Sequence, residues 1–212
     1  MLVKLDEEYI PSRLDSFYDY LADKDYQSRQ REHPRFQSVV EIAKGAAYIY
    51  GLETCLEIGC AEGLMTELLA ESFGYIYAVD ISEKLIANAK KRRIENARFG
   101  VYNVEDSLLL FRKNFDMVII SEVLEHLNNP QKIVKQCLQI SKYVVASCPM
   151  NEQPNPDAFD VSLYGVEKKW ADATGHIWSM DEDGFKSLFD GYAIEYFEIA
   201  DPCGIALVRG AL

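Results

Sequence analysis

The sequence predicts an α/β fold: a seven-stranded, mostly parallel sheet with helices on both faces and an antiparallel hairpin at its C-terminal end. Three observations carry this. From residue 54 onward, short apolar strand-like runs alternate with amphipathic helical runs, an order that winds into a parallel sheet. Residues 55–69, CLEIGCAEGLMTELL, read as strand, glycine turn and helix. The chain closes on two β-rich runs, AIEYFEIA and GIALVRG, near enough to pair as a hairpin.

Each element has a local reason. Residues 1–50 are helical in character: SRLDSFYDYLAD places Leu14, Phe17, Tyr18 and Leu21 at helical spacing, and PRFQSVVEIAKGAAYIYG does the same with Phe36, Val39, Val40 and Ala43 before Gly51 stops it. TCLEIG is a strand, LMTELLAESF a helix and YIYAVD a strand. SEKLIANAKKRR is a helix with Ser82 as N-cap and the cluster KKRR as its last turn, where cations complement the helix dipole. ARFGVY and FDMVIIS are strands, NPQKIVKQCLQI is a helix opened by Pro130 at its first position, and YVVASCP is a strand. After Pro149 a long segment with Pro154, Pro156, Gly165 and both tryptophans has the length of a functional loop. A helix, DEDGFKSLFDG, then leads into the hairpin. The result is a Rossmann-like single domain in four parts: a helical cap over 1–50, a core over 52–149, a lid over 150–180, and a C-terminal helix and hairpin over 181–212.

A chain of 212 residues with 49% apolar and 26% charged residues can bury a full core without staples. Its net charge of −12 disfavours a nucleic-acid partner, because phosphate contacts need clustered Lys and Arg. The five cysteines include no CxxC pair and mostly sit in apolar runs, as reduced core residues do. The start, MLVKLDEEYIPS, lacks a signal-peptide pattern, and no run reaches the apolar length of a membrane span. These features lead us to expect a cytoplasmic protein with no membrane partner.

In an open α/β sheet, ligands bind beyond the carboxyl ends of the strands. Those ends carry Glu57, Glu62, Asp80, Glu105, Asp106, Glu122 and Glu125, with no Lys or Arg in the stretches 57–63, 103–106 and 121–126. Such a rim repels a pyrophosphate and attracts a cofactor bearing an amine and a sulfonium. Gly59, Ala61 and Gly63 keep the first turn narrow enough for close backbone approach. Asp80, 21 positions after Gly59, is spaced to take the two hydroxyls of a ribose. The glycine spacing is compressed relative to the dinucleotide fingerprint, which argues against a dehydrogenase.

At LEIGCAEG, YAVDIS and FDMVIISEVLEHL the sequence resembles the class I S-adenosylmethionine-dependent methyltransferases, over roughly residues 52–149. The resemblance implies an enzyme whose cofactor is S-adenosylmethionine. By that family's pattern Glu57, Gly59 and Ala61 line the methionine end, Asp80 holds the ribose, Ile81 covers the adenine, and Asn103 with Val104 meets its amino edge. Cys60, Gly63, Ser121 and Glu122 complete the cofactor-binding set. Two positions depart from the pattern: Ala61 stands where the family usually has Gly, and Asn103 where it often has Asp.

The acceptor is open. His126 and His176 are the base candidates, two of three histidines in the chain; each could equally pack or bond to a backbone carbonyl. The aromatic lid residues Phe159, Tyr164, Trp170 and Trp178 fit a small-molecule methyl acceptor with a flat or apolar face, such as a sugar, a quinone or a polyketide-like ring, and Tyr18, Tyr20 and Tyr26 of the cap could touch it. No metal is assigned. An alternative arises because Glu122, Glu125 and His126 fall at i, i+3 and i+4, which puts three potential ligands on one face of a helical turn, with His176 to close the set. That order is similar to the metal-dependent small-RNA 2′-O-methyltransferases. A third possibility is a cofactor-binding partner protein without turnover.

Overall fold

The computed structural model describes residues 2–4, 31–111, 114–151, 176, 178–200 and 202–211. In chain order these form β1 (Leu2–Lys4), α1 (Pro34–Tyr50), β2 (Thr54–Ile58), α2 (Leu64–Leu69), β3 (Tyr75–Asp80), α3 (Glu83–Lys90), β4 (Ala97–Val101), β5 (Phe115–Ser121), α4 (Pro130–Ile140), β6 (Ser141–Pro149), β7 (Trp178–Met180), α5 (Glu182–Ser187), β8 (Ile194–Ala200) and β9 (Cys203–Arg209). Seven strands make one sheet in the order β4-β3-β2-β5-β6-β9-β8. Its first five strands are parallel, and β9 pairs antiparallel with both β6 and β8. The predicted mixed sheet with a C-terminal hairpin is therefore present.

Two apolar layers sandwich this sheet because side chains alternate along each strand. On β5, Met117 and Ile119 pack with Phe36, Val39 and Ala43 of α1, Leu64 and Leu69 of α2 and Ile86 of α3. Val118 and Ile120 point the other way, among Ile133, Val134 and Cys137 of α4 and Phe185 of α5. The helix ends follow their sequence signals. Gly51 caps α1 in the left-handed region at φ 63°, the Ser82 hydroxyl accepts the Leu85 amide, and Asn129 accepts the Lys132 amide ahead of α4, with Pro130 at its start. Among the described residues, no helix is long and apolar enough to cross a membrane.

Three expectations change. The helix expected over 64–73 stops at Leu69. The helix expected to run through KKRR stops at Lys90, so the cluster is not one helical turn: Arg93 turns to φ 55° and the Arg92 guanidinium reaches back to Glu67 at 2.8 Å. Residues 2–4, read as part of a helical cap, form a strand paired antiparallel with β7 at the end of the expected lid, Leu2 opposite Met180 and Lys4 opposite Trp178. That partner lies at the far end of the chain, where no local pattern reports it. The helix expected over 14–21, Tyr18, Tyr20 and Tyr26, and the lid residues Phe159, Tyr164 and Trp170 lie outside the described residues.

Strand order reverses between β2 and β5: β3 and β4 continue on one side of β2, β5 and β6 on the other. The crevice beyond these carboxyl ends is where the topology puts a ligand.

Candidate active site

On the β2–β3 side the site is built from backbone. Beyond β2 the chain turns sharply at Gly59, φ 76°, whose amide donates to the Val79 carbonyl at 2.8 Å. A Cβ on Gly59 would lie 2.4 Å from Cγ2 of Val123, so the turn is pressed against the segment leaving β5. Ala61 accepts a left-handed φ of 44°, and its amide donates to Oδ2 of Asp80 at 2.9 Å. Oδ1 of Asp80 accepts the Ser82 amide, also at 2.9 Å. Both oxygens are thus aimed by the main chain. Burial raises the Asp80 pKa above the usual carboxylate value, with the amides of Ser82, Ala61 and Ile81 opposing it.

Glu57 lies below this turn, 3% exposed, and its Oε2 accepts the Thr66 hydroxyl of α2 at 2.6 Å. Burial is the main cause of a pKa pushed up to about 8; the Asp80 charge adds to it and the Thr66 bond opposes it. The Cys60 side chain is buried in the core, leaving its backbone to the turn. Gly63, φ 75°, starts α2 with no room for a Cβ beside the Phe99 ring. Ile81 is 41% exposed just past Asp80, and Val104 is buried. The Asn103 side chain accepts the Glu105 amide at 3.0 Å, so its oxygen shapes its own turn.

The β5–β6 side is built from side chains. Glu122, held at φ 56°, accepts Nη1 of Arg35 at 2.6 Å on Oε2 and the Ser147 hydroxyl at 2.9 Å on Oε1; the hydroxyls of Ser147 and Ser121 lie 2.8 Å apart. Cys203 donates to the same Glu122 carboxylate, with Sγ 3.6 Å from Oε2. Burial is the first cause of a raised Cys203 pKa. Glu122 is therefore committed toward α1 and β6. The expectation of Glu122, Glu125 and His126 on one helical face fails because the 3-10 turn begins only at Leu124.

Glu125, His126 and His176 do converge. Their ligand atoms lie within 4.8 Å of one another, and Nε2 of His126 and of His176 lie 3.8 Å and 3.9 Å from Oε1 of Glu125. The imidazole rings meet edge to face with centroids 4.7 Å apart. His176 is brought there from the far end of the chain. Its neighbour Trp178 donates Nε1–H to the Leu127 carbonyl at 2.6 Å, and Asn151 donates its amide to Met180 at 2.8 Å. Such a cluster could shuttle a proton or hold a cation.

Thr66, Arg35 and Ser147 join the site without being among the residues expected from the sequence. Ser147 near the carboxyl end of β6 follows from the strand-end rule. Arg35 follows Pro34 at a helix start and carries no local signal of a partner 87 positions away.

Residues 56–143 match the sequence model of the methyltransferase domain family. A curated relative, the ubiquinone biosynthesis O-methyltransferase of Coxiella burnetii, is 34% identical over 89 residues, 41% of this chain and 38% of that one. The chain thus spans under half the length of that relative. Among solved structures, magnesium protoporphyrin IX methyltransferase of Synechocystis with bound S-adenosylhomocysteine aligns over 95% of this chain and all of that one, with a TM-score of 0.68 at 14% identity. An N-methyltransferase of Bradyrhizobium japonicum in complex with S-adenosylhomocysteine aligns over 92% of this chain and 99% of that one, with a TM-score of 0.65 at 18% identity. Residues 56–143 thus resemble the methyltransferase domain family in sequence, and the chain shares its fold with methyltransferases crystallised with S-adenosylhomocysteine.

Proposed function

We propose that the protein is an S-adenosylmethionine-dependent methyltransferase that methylates an O or N atom of a small molecule, acting as a single cytoplasmic domain. The observation that carries this reading is the turn at Gly59 fastened to a carboxylate, Asp80, whose two oxygens are held by backbone amides. The fit to the cofactor rests on charge and room. Glu57 and Asp80 have no cation paired with them among the described residues, and the Gly59 turn brings bare backbone to the crevice. Five buried, unbridged cysteines support a reducing compartment. The names of the relative and of the two structural neighbours, all methyltransferases and one acting on a porphyrin, support a small-molecule acceptor.

When bound, S-adenosylmethionine supplies the methyl group as a sulfonium electrophile. Asp80 takes the ribose hydroxyls, the Gly59 turn with Glu57 lines the methionine end, and Ile81 with Asn103 and Val104 borders the adenine. On the β5–β6 side, Nε2 of His126 or His176 accepts the proton of the acceptor's hydroxyl or amine, and Glu125 stabilises the imidazolium so formed. Trp178 anchors β7 beside this side through its bond to the Leu127 carbonyl. A second reading is favoured by the convergence of Glu125, His126 and His176: a divalent cation held there, activating the acceptor oxygen directly. The net charge of −12 argues against an RNA acceptor.

Calorimetric titration of the chelator-treated protein with S-adenosylmethionine, S-adenosylhomocysteine and NAD tests the proposal. It expects saturable binding of the two sulfur compounds and none of NAD. Failure of both sulfur compounds to bind, or preference for NAD, overturns it. Repeating acceptor turnover with and without divalent metal then separates the histidine base from the cation.

A further inference from the structure

Glu57 is the last residue but one of β2 and Asp80 the last of the adjacent parallel strand β3, with Glu57 opposite Ala78 in register. Two buried carboxylates this close, without a paired cation among the described residues, cannot both be ionised cheaply. Asp80 holds the backbone amides of Ala61 and Ser82 on its two oxygens; Glu57 has one hydroxyl, from Thr66. Asp80 is thus the better stabilised anion, and Glu57 is the group that keeps a proton.

The surroundings of Glu57 agree. Facing it are Asp80 from β3, Cys60 from the turn, Cys55 on its own strand and Thr66 from α2. The β5 residue opposite it is the apolar Ile119. Arg35 pairs with Glu122 and Arg92 with Glu67.

We propose that Glu57 is the neutral acid in the empty site and loses its proton to solvent when the cationic methionyl end of S-adenosylmethionine enters, so that it selects the charged sulfonium cofactor over its thioether product. This rests on the proposed function above. A nearby cation favours the carboxylate, so the complex binds fewer protons than the free protein, and affinity rises with pH until the empty site itself ionises, at about 8. S-adenosylhomocysteine keeps the amine and lacks the sulfonium, so it holds the carboxylate less firmly. Methyl transfer then leaves a product whose departure is assisted as Glu57 takes a proton back.

The test is calorimetry of S-adenosylmethionine and S-adenosylhomocysteine binding to wild type and Glu57→Gln between pH 6 and 7.5, in two buffers of different ionisation enthalpy. Glutamine can still accept the Thr66 hydroxyl. For wild type, S-adenosylmethionine affinity is expected to rise by up to about tenfold per pH unit with release of up to one proton, S-adenosylhomocysteine to show a shallower slope, and Glu57→Gln to flatten the difference. Any ionisation of the cofactor itself persists in the variant and is thereby subtracted. Should the variant not fold, the wild-type proton count and the difference between the two ligands still decide. Equal slopes for both ligands, or no proton released, overturns the inference and leaves the methyltransferase reading standing. If neither ligand binds, both fall.

Discussion

The two sides of the crevice between β2 and β5 are built in opposite ways. The β2–β3 side is main chain and carboxylate: the turn at Gly59, the amides on Asp80 and the buried acid Glu57. Its parts lie within two short stretches of sequence, 57–66 and 80–82. The β5–β6 side is a side-chain assembly drawn from across the chain: Arg35 from α1, Glu122 after β5, Ser147 from β6, Cys203 from β9, and His176 beside His126. The first side offers backbone geometry suited to one constant ligand chemistry. The second can be altered by exchanging distant residues, which suits an acceptor pocket.

The contrast can be broken by mutation, and the largest effect belongs to the backbone side. Gly59→Val puts a branched side chain where φ is 76° and where a Cβ already meets Val123, so S-adenosylmethionine binding measured by calorimetry is expected to vanish. Asp80→Ala removes a charged acceptor of two ribose hydroxyls, about 3 kcal/mol or roughly hundredfold in affinity. Retained affinity in both variants would contradict a cofactor site here.

On the other side, Arg35→Ala leaves Glu122 without its guanidinium in a largely buried setting. Chemical denaturation should show a loss of roughly 2 kcal/mol, below the usual cost of breaking a fully buried pair because a fifth of the Glu122 side chain is exposed. Arg35→Met with Glu122→Gln should recover much of it. Cofactor affinity should change only a few-fold in either, sharpening the division between the two sides.

Protonation separates them as well. Glu57 has a raised pKa in the fold, so the unfolded chain loses its proton first as pH rises. The ligand-free protein should therefore lose stability between about pH 4.5 and 8, at up to roughly 1.4 kcal/mol per pH unit, and Glu57→Gln should flatten the curve. The smallest effect is expected at the opposite ends of the strands. Burial works against ionisation of Asp116, yet the Lys142 ammonium, the amides of Glu53 and Thr54 and the Thr54 hydroxyl hold its pKa down at about 2. Asp116→Asn should cost roughly 1 kcal/mol near neutrality, a difference that fades as pH falls from about 4 to 2 and leaves cofactor affinity unchanged.

How much of this was legible in the sequence follows the same division. Parallel strands buried on both faces read as apolar runs, and capping residues such as Ser82, Asn129 and Gly51 mark their helices locally. The turn and Asp80 were legible because strand, glycine and acid recur at short spacing. Arg35 against Glu122 and β1 against β7 were not, since their partners meet only through the fold. The segment SEVLEHL misled in a specific way. Its i, i+3, i+4 spacing suggested a helical turn, but Glu122 takes a left-handed φ and leaves Glu125 and His126 to meet His176 without it.

Whether cofactor and acceptor occupy opposite sides of this crevice would be seen in a crystal structure of the protein with S-adenosylhomocysteine. Both ribose hydroxyls are expected on Asp80, the homocysteine amine toward Glu57, and the sulfur facing the side that holds Glu122, His126 and His176. A ligand bound elsewhere, or a ribose without contact to Asp80, would contradict that arrangement.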